Sequence, residues 1–462
     1  MRHRINVLVI LAVSGFGFVP FAAGEVASSK SQAKVDDFFA LLGAQSRKTD
    51  LAFDRIETSW HPGNRTMLLE TYLFVRDRRI SDRIIALLER KTGKKLGEDP
   101  QKWFDQIWNT PHDPHPDYVA FKTRLYESID SRFEEYFSQA DKSTIRLDEI
   151  RWGGVIRDGI PPLKNPVTIP AKQASYLADG DVVFGVVVNG EARAYPKRIL
   201  AWHEMVKDVV GGTSINGVYC TLCGSMIVYL PEKDGVHYEL GTSGFLYRSN
   251  KLMYDHATKS MWSTIKGEPV VGKLVGKDIK LDTHHVVTTT WGKWKSQHPD
   301  TSVLSLRTGH RRDYGEGVAY RDYFATDKLM FTVPQLDDRL LNKDEVFIVR
   351  RNVISAENGE KTKPLAISAK FLKENPVYHD QLDNLNFVVI TDETGANRAY
   401  ETNERFLRLD ASGKAVDQQG EACVIGEADL THADGRKAAR LPAHRAFWFG
   451  WQAVYPDTRL VK

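Results

Sequence analysis

Cysteine is scarce in this chain. Three in 462 residues cannot cross-link a protein of this size, so a disulfide scaffold is excluded. Long apolar runs are scarce too. After the stretch Ile5 to Phe21, itself broken by Ser14, Gly15 and Gly17, no segment is long and apolar enough to span a bilayer. Charge of one sign is also missing. The 63 basic and 60 acidic residues leave a formal net charge of +3, and no run of Lys and Arg exists to track a phosphate backbone, which argues against nucleic acid as a partner. What remains is 42% apolar and 27% charged. That is the balance of a folded chain, with length for about three domains.

Residues 1–24 read as a signal peptide. Arg2, His3 and Arg4 precede the apolar stretch, and the small residues Ala22 and Gly24 are placed for cleavage before Glu25. A retained membrane anchor is the alternative, and the short, glycine-interrupted stretch speaks against it. The expectation is an exported bacterial protein, periplasmic or secreted, with no membrane span after cleavage.

Three regions follow. Residues 32–140 have helical texture: Phe38, Phe39 and Leu42, then Leu87 and Leu88, recur at three- and four-residue spacing. Asp99-Pro100 predicts a helix start, with Asp as cap and Pro at the first position. Pro111-His-Asp-Pro-His-Pro116 breaks the pattern, so His112 and His115 are read as surface-loop residues rather than ligands. Residues 145–340 change to β texture. Val182 to Tyr195 predicts a hairpin turning at Asn189-Gly190. Ile199 to Val206 predicts a short helical insert, Val236 to Leu240 and Val286 to Thr290 further strands, and Gly241-Thr-Ser-Gly244 a turn.

Residues 341–462 repeat the second region. Trp291-x-x-Trp294-x-x-x-x-Pro299-Asp-Thr301 recurs with the same spacing as Trp448-x-x-Trp451-x-x-x-x-Pro456-Asp-Thr458. With Gly395 set on Gly224 and Tyr400 on Tyr229, Thr391 and Thr394 take the places of Cys220 and Cys223. The fold class expected is α+β: a helical domain, then two tandem, internally duplicated β-rich domains, the second without the C-x-x-C.

Cys220 and Cys223 share one turn, Tyr219-Cys-Thr-Leu-Cys-Gly224. Thiols at this spacing close a disulfide or share a soft metal ion. Gly224 and the strand-like Ser225 to Tyr229 predict a strand–knuckle–strand turn, not the helix start of thioredoxin-like dithiols. His203, just before the knuckle strand, is the first choice as a third metal ligand or as a thiolate-stabilising neighbour; His237, His256, His284 and His285 are weaker choices. Glu204 is expected to orient His203 or to carry protons. Arg193, Tyr195 and Asp255 are candidates to line a cofactor or substrate pocket. A set of two Cys and one His suits a soft transition metal, Cu, Zn or Fe. Trp262, Trp291 and Trp294 are read as core, and Cys423, with no partner in sequence, as a buried inert thiol.

Many short motifs in order carry a resemblance. Asp158-Gly-Ile-Pro161, Asn189-Gly-Glu-Ala-Arg-Ala-Tyr-Pro196, Trp202-His-Glu204, Tyr219-Cys-Thr-Leu-Cys-Gly224, Gly241-Thr-Ser-Gly244, Met253-Tyr-Asp255, Ser260-Met-Trp-Ser263 and His298-Pro-Asp-Thr301 look like the signature of the bacterial domain-of-unknown-function family numbered 3179. Lys207-Asp208 departs from it, since relatives tend to have Asn-Asp there. The resemblance runs from about Ile145 to the C-terminus. It implies a bacterial, usually exported protein with two related halves, and no particular reaction. Three functions stay open. One is a thiol-based redox or metal-dependent oxidoreductase centred on Cys220, Cys223 and His203. The second is a non-catalytic metal-binding or metal-delivery protein using the same knuckle. The third is an interaction module in which the cysteines form a structural disulfide. The partner expected is a small molecule, a metal or a redox partner protein.

Overall fold

The computed structural model describes residues 33–350 and 364–462, and the signal-peptide reading lies outside them. No helix among the described residues is long and apolar enough to cross a membrane. Contacts divide the chain into two compact units, and the architecture is α+β.

The first unit takes the described residues up to Asp141, with 146–148 and 152–156. Seven α-helices run from Val35–Ala40 to Glu134–Phe137. Pro100–Trp108 starts as expected, the Asp99 carboxylate accepting from Gln101 N. Arg78–Thr92 begins at Asp77 and stops at Gly93, whose φ is +70°. The apolar stripes bury Phe38, Leu87, Leu88, Trp103, Phe104 and Phe121 together. Within this core Lys122 Nζ meets Glu70 Oε1 at 2.8 Å, and the Tyr118 hydroxyl donates to the same oxygen. Burial of both charges is tolerable because they are paired. The 111–116 segment is irregular, but His115 is buried, its ring edge-on to His61 at 5.2 Å.

The second unit takes Arg157–Lys462, with 142–145 and 149–151, and contains both predicted β-rich regions. Its first hairpin pairs Val182–Val188 with Glu191–Pro196, turning at Asn189 (φ +48°) and Gly190 (φ +83°) as a two-residue turn demands. The helix Lys197–His203 ends sooner than the sequence suggests. Glu204 adopts φ +55°, and Met205–Val210 is already a strand. That strand, Thr213–Cys220 and Ser225–Tyr229 form an antiparallel meander in which Cys220 faces Ser225 and Asn216 faces Tyr229. The Gly241–Gly244 segment is not a turn. It lies within the strand Leu240–Tyr247, whose register slips between Thr242 and Leu246, and this bulge accommodates the glycines.

Two sheets of the second unit share one plan. Val287–Thr290, Val182–Val188, Glu191–Pro196 and Ser302–Leu304 lie side by side, paired antiparallel, antiparallel and parallel. Ala443–Phe447, Glu345–Val349, Leu365–Ser368 and Arg459–Val461 show the same order and senses. In both, a short helix and a three-stranded meander follow the second central strand. In both, an indole N–H meets a threonine hydroxyl: Trp294 Nε1 to Thr301 Oγ1 at 2.9 Å, and Trp451 Nε1 to Thr458 Oγ1 at 3.0 Å. One core joins the two regions, with Met205, Val218 and Trp262 packed with Val346, Trp448 and Trp451.

Candidate dithiol site

The knuckle forms because the strand Thr213–Cys220 must reverse within four residues. Cys223 N donates to the Cys220 carbonyl at 3.1 Å, and Gly224, at φ +60°, completes the reversal. A side chain at position 224 would also strike the Phe447 ring, 2.9 Å from the point where its Cβ would sit. Both sulfurs end up buried, Cys220 at 2% exposure and Cys223 at 0%. Leu222, Leu246, Tyr323, Phe447 and Phe449 pack around them. Neither thiol is in a disulfide.

Four other elements converge on the sulfurs. The hairpin tip between Leu240–Tyr247 and Asn250–Asp255 brings the Ser249 carbonyl to 3.3 Å from Cys223 Sγ. The helix Trp448–Gln452 comes so close that a Cβ on Gly450 would lie 2.9 Å from Cys223 Cβ. From the end of Lys197–His203, the buried Glu204 accepts from Lys251 Nζ at 3.0 Å and from the Tyr320 hydroxyl at 3.3 Å. Tyr323, on the helix Arg321–Phe324, donates its hydroxyl to the Leu222 carbonyl at 2.7 Å. Glu204 (φ +55°), Arg248 (+47°), Ser249 (+63°) and Tyr320 (+57°) are all non-glycine residues in the left-handed region. Each costs about 1–2 kcal/mol, and such strain persists only where the surroundings over-determine it.

The environment treats the two sulfurs oppositely. Burial works against the Cys220 thiolate, and so does the Glu204 charge. The Cys223 thiol beside it and the backbone N–H groups of Lys251 and Cys223 outweigh both, holding the Cys220 thiol below its ordinary pKa. Burial pushes the Cys223 thiol up, and the neighbouring Cys220 and Glu204 push it further. Burial and the Glu204 carboxylate likewise raise Tyr320, which stays protonated and able to donate.

A family model described as a protein of unknown function (DUF3179) matches residues 157–458. The chain belongs to that family. The matched segment contains both thiols, the Arg248–Ser249 tip and the helix that closes on Cys223. No curated protein and no solved structure matches the chain.

The structure brings Glu204 to the thiols, but not to orient His203. It turns His203 the other way. The His203 ring bonds through Nδ1 to the Pro161 carbonyl at 2.9 Å and through Nε2 to the Tyr314 hydroxyl at 2.6 Å. Burial drives its pKa down to about 4, so the neutral ring, with both nitrogens satisfied, is the form held. Arg193 and Tyr195 converge instead on Asp208, with Arg193 Nη1 at 2.7 Å and the Tyr195 hydroxyl at 2.9 Å. Asp255 shapes its own turn, accepting from Thr258 N at 2.6 Å and from Ala257 N at 3.1 Å. His284 bonds to the Val187 carbonyl and His237 to Glu232. Trp262, Trp291 and Trp294 are core. Cys423 is buried but not partnerless, because His432 Nδ1 lies 3.2 Å from its sulfur. Sequence reasoning missed Lys251 and Tyr320. The available signal for Lys251 was a lone cation in an otherwise uncharged stretch that reads as a strand, Asn250 to Tyr254.

Proposed function

We propose that this chain is a thiol–disulfide oxidoreductase of an oxidising, extracytoplasmic compartment, with Cys220 as attacking thiolate and Cys223 as resolving thiol. The observation that carries the reading is geometric: two unbonded thiols share one tight turn. The Ser249 carbonyl, 3.3 Å from Cys223 Sγ, accepts a hydrogen bond from the Cys223 thiol, while the backbone N–H groups of Lys251 and Cys223 face Cys220 and favour its thiolate. That asymmetry is what two-step exchange needs. Cys220 attacks one sulfur of a substrate disulfide and expels the other as a thiolate. Cys223 then gives up its proton and attacks Cys220 Sγ, which releases the second substrate thiolate. The substrate gains two electrons and leaves as two thiolates, which take their protons from solvent, and the chain keeps a Cys220–Cys223 disulfide. Glu204, whose charge both sulfurs feel, is the acceptor this reading assigns to the Cys223 proton. Burial of both sulfurs favours a small disulfide or oxidant over a folded protein as substrate.

The metal readings have less support. Among the described residues, the grouping of three His, Cys, Asp or Glu donors within 4.8 Å of one another lies elsewhere, and His203 is engaged by Pro161 and Tyr314. We also infer that the two regions of the second unit arose by duplication, on the strength of their shared strand order. A reciprocal docking supports this. The Cys223 turn sits on the helix Trp448–Gln452 of the later region, while the 392–396 turn packs Ala396 against Trp291 and Trp294 of the earlier one. In the later turn Asp392 Oδ1 accepts from Thr394 N and Ala396 N. Such a turn closes without sulfur, so the thiols of the earlier turn are best explained by chemistry.

The test is a trapped intermediate. With glutathione disulfide, Cys223→Ser should accumulate a glutathione adduct on Cys220, visible as added mass. Cys220→Ser should accumulate none, and the parent chain should lose both thiols without retaining an adduct. A parent chain that keeps both thiols, with no adduct on Cys223→Ser, would falsify the redox reading.

A further inference from the structure

A second cluster of ligating side chains lies well apart in sequence from the dithiol, on the small meander of the later region. There the strands Ala415–Asp417, Ala422–Ile425 and Asp429–Thr431 pair antiparallel, with Ala415 facing Cys423 and Val424 facing Thr431. Continuing that register by one residue sets His432 opposite Cys423. Two residues on from Ala415, Asp417 falls on the same face, one step diagonally from Cys423. Register alone therefore gathers a carboxylate, a thiol and an imidazole on three adjacent strands.

The side chains fulfil this placement. One donor atom from each of Asp417, Cys423 and His432 lies within 4.8 Å of the other two, and Cys423 Sγ is 3.2 Å from His432 Nδ1. Ligands on a tetrahedral Zn2+, with Zn–S near 2.3 Å and Zn–N near 2.05 Å, stand about 3.6 Å apart, so the pair needs only a slight opening to admit an ion. All three residues are buried, at 2%, 0% and 5% exposure. The other nitrogen of the ring, His432 Nε2, is 3.2 Å from Glu404 Oε2. A carboxylate behind a ligating histidine fixes the tautomer that presents the opposite nitrogen to a metal. Asp417 is oriented in the same spirit, its Oδ1 accepting from Gln419 N and Glu421 N.

We propose that Asp417, Cys423 and His432 bind a divalent transition metal, Zn2+ by the mixture of donors, with Glu404 orienting the histidine and a fourth position left for water. One O, one S and one N donor match a three-ligand zinc site with an open position. Binding displaces the Cys423 thiol proton to solvent, and the resulting thiolate and the Asp417 carboxylate together balance the two positive charges. The site is independent of the dithiol and survives failure of the redox reading.

Cobalt(II) titration of the full chain tests it, because a thiolate-to-cobalt charge-transfer band reports sulfur ligation directly. In a Cys220→Ser/Cys223→Ser background the band should appear at one-to-one stoichiometry and be displaced by Zn2+. Adding Cys423→Ser should abolish it, and Glu404→Gln should weaken affinity about 10–100-fold. If the double variant does not fold, the parent chain compared with Cys423→Ser alone gives the same answer. A chain that shows no band, or one whose band is insensitive to Cys423→Ser, contradicts the proposal.

Discussion

At the level of single residues, the arrangement turns on a buried ion pair. Glu204 and Lys251 are joined at 3.0 Å, each nearly inaccessible. Removing one partner leaves the other charged in a poor solvent, so Lys251→Met should destabilise the chain by about 3–5 kcal/mol in urea denaturation. Glu204→Gln/Lys251→Met should recover most of that, since the polar pair is replaced by a neutral one. Equal losses in the single and double variants would mean that packing, not charge, is what Lys251 supplies. The same carboxylate opposes the Cys220 thiolate. Glu204→Gln should therefore move the thiolate absorbance titration of Cys220 to lower pH, and an upward move would contradict the assigned sign.

Elements explain why the knuckle is where it is. Gly450 offers a clean discrimination, because helix propensity and packing disagree about it. In a free helix Gly→Ala gains about 1 kcal/mol, yet here the new Cβ would lie 2.9 Å from Cys223 Cβ and 3.2 Å from its sulfur. Overpacking of this kind costs about 1–3 kcal/mol, so Gly450→Ala should lower the denaturation midpoint and disturb thiol reactivity. Gly224→Ala should be worse, since it adds left-handed strain to a clash with Phe447. The knuckle was legible in the sequence because local chemistry dictates it: a glycine after the second thiol, then a strand. So was the Asn189-Gly190 turn. The neighbours were less legible. His203 and Glu204 are adjacent in sequence, but the left-handed turn at Glu204 sends their side chains in different directions. Lys251 reaches the site only because a two-residue tip with no glycine, Arg248-Ser249, folds over the thiols. No short-range pattern marks such a tip. Gly241 to Gly244 misled for the opposite reason, since glycines that suggest a turn can also mark a bulge.

Across the whole molecule, buried neutral histidines set the response to acid. His203 is held down to about 4 by burial, against about 6.5 when unfolded. His444, beside Arg350, is also held well below the ordinary histidine value, by burial and by that cation. A histidine with a depressed folded pKa contributes fully above the unfolded value, and its contribution is lost as pH falls from about 6.5 towards 4. His203 alone should remove about 2 kcal/mol between pH 7 and pH 5. Thermal denaturation should show a clear drop in that window, and a His203→Gln variant a shallower one. A flat profile between pH 7 and pH 5 would contradict the burial assigned to these rings. The two-region plan makes a claim of the same breadth. The 392–396 turn of the later region closes on the Asp392 carboxylate without sulfur, so the molecule should owe its fold to neither thiol and its chemistry to both. The most direct measurement is the equilibrium potential of the Cys220–Cys223 couple, read by mass after alkylation of free thiols across a series of redox buffers. Exchange chemistry predicts one reversible two-electron transition between about −120 and −270 mV. A couple poised below about −300 mV, the range of structural disulfides, or one that does not oxidise at all, would contradict it.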